Sequence, residues 1–186
     1  RSLARSAAPV ITMPGKPSSE AVAGARMLRT LQALADAVIA TDAQGNVYVA
    51  GRFSGTASFG DTNSPVTSFG NSDAFLAKYS SQGQLQWAMK FGGTGYDTAN
   101  AVAVDGNGFV HVAGRFAGPA TFGSFTLTNL SAGFTLKIDP VTTNVLWVMS
   151  DGAEWFGVAA DASGNSHVVG QALPLQLAGT KLAGPI

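Results

Sequence analysis

Cysteine is absent from this 186-residue chain, which removes disulfides, thiolate metal sites and cysteine nucleophiles at once. Charge is scarce: only 12% of residues are charged, and 11 basic and 11 acidic side chains cancel to a net charge of +0. Without a basic excess, the electrostatic drive for nucleic-acid binding is missing. No apolar run approaches the ~18 residues that a membrane-spanning helix needs. Histidine occurs at two positions, His111 and His167, neither in a serine-triad context, so no catalytic residue is assigned. Glycine is abundant by contrast, at 23 residues, as a chain with many turns requires.

What the chain does have is a repeat. Asp42-Ala-Gln-Gly-Asn-Val-Tyr-Val-Ala-Gly51 returns as Asp105-Gly-Asn-Gly-Phe-Val-His-Val-Ala-Gly114 and as Asp161-Ala-Ser-Gly-Asn-Ser-His-Val-Val-Gly170. Phe75-Leu-Ala-Lys78 is echoed by Phe134-Thr-Leu-Lys137, and Leu85-Gln-Trp87-Ala-Met89 by Val145-Leu-Trp147-Val-Met149. The Asp-to-Asp spacing is 63 and then 56, and the difference falls between these anchors, where connecting loops absorb length.

Each period reads as four strands. Val38–Thr41, Ala101–Val104 and Gly157–Ala160 are short and apolar and predict a first strand buried on both faces. An Asp-x-x-Gly turn leads into the second strand, with Asp bonding the local backbone and Gly supplying a positive φ. The Phe–Lys and Trp–Met patterns supply the third and fourth strands, joined by polar turns such as Ser80–Gly83. Between the second and third strands, Phe53-Ser-Gly-Thr-Ala-Ser-Phe59 resembles Phe116-Ala-Gly-Pro-Ala-Thr-Phe122, with a looser version at Leu175–Leu182; these predict a small hairpin outside the core unit. The fold class is therefore all-β: β-propeller blades of four antiparallel strands, about two and a half of them. Blade 1 covers 36–92, blade 2 covers 98–152, and a partial blade 3 covers 155–186. Residues 1–35 lack the repeat, and Ser19–Ala35 reads either as an amphipathic helix or as a worn outer strand. A propeller ring needs ~4–8 blades, so the expected partners are the remaining blades of a longer chain or identical subunits.

The phrase Asp73-Ala-Phe-Leu-Ala-Lys-Tyr, then Leu85-Gln-Trp87, Phe91-Gly-Gly-Thr-Gly-Tyr-Asp97 and Ala101-Val-Ala-Val-Asp105 through Gly114, resembles the bacterial seven-bladed β-propeller (SBBP-type) repeat family across roughly residues 36–182. The third copy departs from it, with Ser150-Asp-Gly-Ala in place of Phe-Gly-Gly-Thr, and the second copy has Ala132 where the first has Asp73. The resemblance implies a secreted or cell-surface bacterial protein, often without an assigned activity.

Most repeated polar residues read as structural. His111 and His167 align with Tyr48, a position suited to packing between blades with one polar tip. Each Asp turn offers a single carboxylate, too few for a calcium loop, so no metal or cofactor is expected. Candidate ligand contacts are Arg52 and Arg115, equivalent in the repeat, and the unrepeated Tyr96, Asp97, Glu154 and Trp155 in the fourth-to-first connections. An aromatic ring beside a carboxylate can bind a sugar or a peptide group. The expected function is a non-catalytic scaffold or binding module for a protein or glycan. The alternatives are the propeller domain of a carbohydrate-active hydrolase or lyase, in which Asp97 and Glu154 would converge, and a lectin-like module that closes its ring by oligomerising.

Overall fold

A computed structural model describes residues 35–60, 65–128 and 131–172. Blade 1 is built from β1 (Ala35–Thr41), β2 (Val47–Phe53), β5 (Asp73–Tyr79) and β6 (Leu85–Gly93), paired in that order and all antiparallel. Blade 2 repeats the arrangement with β7 (Thr98–Val104), β8 (Val110–Ala117), β11 (Ser131–Ile138) and β12 (Val145–Asp151). Blade 3 is described as the hairpin of β13 (Ala153–Ala160) and β14 (Ser166–Ala172). The architecture is thus all-β and propeller-like, with none of its sheets closed. The segment before Ala35 and the third copy of the inserted hairpin lie outside the described residues.

Both hairpins foreseen between the second and third strands form, as β3 (Thr56–Ala57) with β4 (Val66–Thr67) and β9 (Ala120–Phe122) with β10 (Phe125–Leu127). Their phenylalanines explain the Phe-x5-Phe motif. Phe59 packs on Phe53 at 5.5 Å and on Phe75 at 4.8 Å; Phe122 packs on Phe116 at 5.7 Å and on Phe134 at 4.7 Å. Each hairpin therefore contributes the middle ring of an aromatic triad on its own blade, and each such pair contributes about 0.5–1.5 kcal/mol beyond its burial. β9 also pairs with the end of β6 of the preceding blade, Gly92 with Thr121 and Gly93 with Ala120, covering that sheet edge.

Alternation along the strands directs the two faces of each blade. Tyr48, Ala50, Leu76 and Phe91 of blade 1 meet Val110, Val112, Phe116, Phe122, Phe134 and Leu136 of blade 2 in one buried cluster. The other face of blade 1 buries Val49, Phe53, Phe59, Phe75, Ala77 and Tyr79. On blade 2 the odd-numbered β8 side chains, His111 and Arg115 among them, are directed instead to blade 3, where they meet Ser166 and Glu154.

The first strands differ from expectation. Val38–Thr41, Ala101–Val104 and Gly157–Ala160 are half-buried or exposed, and Ile39 is 61% accessible. Each of β1, β7 and β13 has a strand partner on one side only, so among the described residues its inner edge lacks cover. All three also carry a bulge, between Ala35 and Val38, between Ala99 and Ala101, and between Trp155 and Gly157. The extra residue adds local twist and sends the side chains before it onto the opposite face from that predicted by simple alternation.

Candidate functional site

The six residues singled out from the sequence lie at the blade end that carries the fourth-to-first connections. Asp97 is buried, 1% accessible. Its Oδ2 accepts from the Gly93 N–H at 2.8 Å and its Oδ1 from the Ala117 N–H at 2.9 Å, tying the connection to the end of β8. Burial raises its pKa, against the lowering effect of these two donors and of the Arg115 charge. Gly92 leaves the room this carboxylate fills: a Cβ built there would lie 2.4 Å from Asp97 Oδ2. The adjacent Tyr96 is 60% accessible, while its backbone bridges to Ser72.

Glu154 and Trp155 are strand residues, not connection residues, because β13 begins at Ala153. The register gives Trp155 a repeat counterpart after all: it stands opposite Gly170 as Ala99 stands opposite Gly114. The large ring is accommodated by glycine. A Cβ on Gly133 would come within 2.7 Å of the indole, and one on Gly170 would do the same. The joint between blades 1 and 2 uses Ala74 and Ala99, in one cluster, where this joint uses Gly133 and Trp155. The Trp155 carbonyl accepts from Asn100 Nδ2 at 2.8 Å. Trp155 thus packs between blades with a partly exposed ring.

Arg115 and Glu154 do come together, at 3.7 Å across the joint between blades 2 and 3. With Ser131, Ala132 and Ala153 they border a small recess of about 80 Å³. The equivalent Arg52 turns back within its own blade to Asp36 at 3.0 Å, since β7 offers Thr98 where β13 offers Glu154. The structure therefore separates Arg52 from the others, and Asp97 faces backbone donors rather than Glu154.

The opposite blade end holds a group of side chains whose organisation the sequence only hinted at. Each Asp turn forms as expected, with Gly45, Gly108 and Gly164 at φ of 78°, 88° and 83°. Asp42 Oδ1 accepts from Gln44 N at 3.0 Å and Asn46 N at 2.9 Å; Asp105 Oδ1 does the same with Asn107 N and Phe109 N. The second oxygen reaches the residue aligned in all three copies: Tyr48 OH at 3.1 Å, His111 Nε2 at 3.0 Å and His167 Nε2 at 3.3 Å.

At the second joint this becomes a buried network. Asp105 Oδ2 also takes Lys137 Nζ at 2.9 Å, and His111 Nδ1 lies 2.5 Å from Ser166 Oγ of blade 3. Burial opposes ionisation of Asp105, but hydrogen bonds from His111, Lys137, Phe109 and Asn107 outweigh it and hold the carboxyl at about 2. Burial lowers the His111 pKa, its bond to Asp105 countering only in part, which keeps the ring neutral near pH 7. Trp87 and Trp147 complete the pattern, lying 6.2 Å from Tyr48 and 6.3 Å from His111.

One further carboxylate, noted in the sequence only as the position that Ala132 replaces in the second copy, is buried. Asp73 is fully buried; Oδ2 accepts from Phe69 N at 2.9 Å, while Oδ1 has no partner. Desolvation raises its pKa, and the charge of Asp97 adds to the effect. Among the described residues, no three His, Asp or Glu side chains group as metal ligands.

Residues 86–115 match the family described as SBBP, the beta-propeller repeat. The matched stretch runs from β6 of blade 1 through β7 to β8 of blade 2, so it spans the joint between two blades and includes Asp97, Asp105 and His111. The chain thus carries an SBBP-type β-propeller repeat. No curated protein matches it.

Proposed function

We propose that this chain is a non-catalytic β-propeller module of a bacterial secreted or cell-surface protein, serving as a scaffold or binding platform. The observation that carries the reading is the state of Asp97. Glycoside hydrolysis uses two carboxyl groups flanking one bond, and the connection-side candidate for that pair has both oxygens closed by backbone N–H donors. Glu154, the other candidate, is engaged by Arg115. The histidines are likewise committed to turn carboxylates.

Ring completion by further blades or by identical subunits belongs to the same reading. Val169 on β14 is 68% accessible and Ile39 on β1 is 61% accessible, apolar surface of the kind another blade covers.

The test is a turnover assay on a panel of extracellular polysaccharides, read as reducing-end release. No release above buffer is expected. Release that disappears in Glu154→Gln would overturn the non-catalytic reading. Light scattering on the same preparation separates the two routes of ring completion: a monomer assigns the missing blades to a longer chain, and a defined oligomer to identical subunits. Protease accessibility on intact cells tests the surface location.

A further inference from the structure

The two joints between blades begin with the same residues and end differently. At the second, the Lys137 ammonium is fully occupied by Asp105 Oδ2 at 2.9 Å, the Gly164 carbonyl at 3.2 Å and the Phe109 ring at 4.6 Å. At the first, the equivalent Lys78 touches only the Tyr48 ring, at 5.5 Å. Among the described residues it is the one Lys or Arg with neither a hydrogen bond nor an ion pair. The cause is local. Asn46 Nδ2 and Tyr48 OH both donate to Asp42 Oδ2, at 2.8 and 3.1 Å, so the oxygen that would hold the lysine is already taken.

Lys78 lines a cleft of about 330 Å³ between the Asp42 turn of blade 1 and two turns of blade 2. Asn107 and the partly exposed Phe109 form one wall, and Pro140 another. Trp87 Nε1 donates to the Pro140 carbonyl at 3.1 Å, which fixes that wall against blade 1.

We propose that this cleft binds a single neutral, hydroxyl-bearing sugar ring of a glycan. The proposal rests on the binding-platform reading above and gives it a site at the opposite blade end from the residues first singled out. Five observations select the ligand class. Lys78 has three N–H donors and no acceptor, so the ligand must bring acceptors. Asp42 and Asp139 border the cleft, each satisfied within its own turn, and together they outnumber the one lysine, which disfavours an anion. Hydroxyl oxygens accept without adding charge, and the Asn107 side-chain amide both donates and accepts, as a hydroxyl does. The Phe109 ring supplies an apolar patch for the C–H face of a sugar. The volume lies at the small end of ligand clefts, which suits one ring rather than a chain of them.

The test is an amide-resolved NMR titration with methyl glucoside, methyl galactoside, methyl mannoside and N-acetylglucosamine, each to about 20 mM, the weak end of single-ring affinity. Glucuronate and inorganic phosphate are run beside them. Saturable shifts at Asn46, Asn107 and Gly108 are expected with at least one neutral sugar. Lys78→Met should weaken that binding by about tenfold or more, and Asn107→Ala should weaken it too, its backbone bond to Asp105 being retained. Both variants are checked for an unchanged thermal transition, and the exposed Asn107 position keeps the test valid if Lys78→Met is unstable. No saturable shift at these amides with any neutral sugar overturns the proposal, as does a response to glucuronate or phosphate alone, or full binding by a folded Lys78→Met. None of those outcomes touches the non-catalytic reading, which the turnover assay decides separately.

Discussion

The joint between blades 1 and 2 and the joint between blades 2 and 3 are two solutions to one packing problem. In the first, Tyr48 presents a phenol to its own Asp42, and shares a buried apolar cluster with Val110 of blade 2. In the second, His111 bonds Asp105 with one nitrogen and faces Ser166, the equivalent of Val110, with the other. Tyrosine goes with valine, histidine with serine: a second polar atom on the ring calls for a polar partner across the joint. The same trade recurs at the other blade end, where Ala74 with Ala99 becomes Gly133 with Trp155. The repeat preserves positions, and each joint fills them with its own complementary pair.

The largest expected effect comes from removing the carboxylate at each joint. Asp105→Ala leaves Lys137 and a buried His111 without their shared acceptor and opens the turn, and should cost about 3–5 kcal/mol. Asp42→Ala loses turn and phenol hydrogen bonds in a more open setting and should cost about 1–2 kcal/mol. Denaturant midpoints at constant m compare them. Equal costs would mean that the two joints are not energetically distinct.

Acid should discriminate between the joints next. The His111 pKa is lowered by burial, so as pH falls through about 6.5, the unfolded chain takes up a proton that the folded chain resists, and stability declines. The Asp105 carboxyl, held at about 2, contributes stability that is present above its ordinary value near 3.8 and is lost between there and about 2. Exchanging the joint type with His111→Tyr and Ser166→Val together should remove the decline near pH 6.5 and leave the one below pH 4. Stability measured against pH checks this; an unchanged slope between pH 5 and 7 would place the titrating group elsewhere.

Much of this was legible along the chain. The Asp-x-x-Gly turns, the four strands of blades 1 and 2 and the two Phe-x5-Phe hairpins are local signals, and all form. The partners of Lys78 and Lys137 were not legible, because they depend on whether Asn46 or Phe109 follows the turn glycine and hence on which atoms reach the carboxylate. Glu154 and Trp155 read as loop because β13 is polar and aromatic where β1 and β7 are small, and a shared bulge hides their register. Asp97 read as a connection residue able to contact a ligand because one of its two donors, Ala117, comes from backbone 20 residues away. The first strands are apolar in composition, which suggests cover, but among the described residues each has a strand partner on one side only.

A smaller effect separates the third strands. Blade 1 places the buried Asp73 where blade 2 places Ala132, and Asp73 Oδ1 has no partner. Asp73→Ala should stabilise the protein by about 1 kcal/mol at pH 7, the desolvated carboxylate outweighing its bond from Phe69 and the smaller support of Lys90 and the Gly70 N–H. Because burial raises the Asp73 pKa, the folded state binds the proton more tightly than the unfolded one, and protonation relieves the penalty. The gain should therefore shrink as the pH is lowered toward 4. A destabilised variant at pH 7 would mean that the Phe69 bond carries more than the orphan oxygen costs.

The smallest expected effect tests whether the arginines also distinguish the joints. Arg115 reaches Glu154 across the second joint, whereas Arg52 stays within blade 1 on Asp36. The cross-joint pair is long, at 3.7 Å, and both side chains are partly exposed, so its coupling energy should be only about 0.2–0.5 kcal/mol. A double-mutant cycle with Arg115→Gln and Glu154→Gln measures it, and salt near 1 M should abolish it. Arg115 has a second consequence that Arg52 lacks. Its charge lowers the pKa of the buried Asp97, so Arg115→Gln should push that carboxyl further upward even if the Glu154 coupling is too small to detect. An unmoved Asp97 titration, followed by NMR, would reduce Arg115 to a surface charge with no more effect on a buried group than Arg52 has.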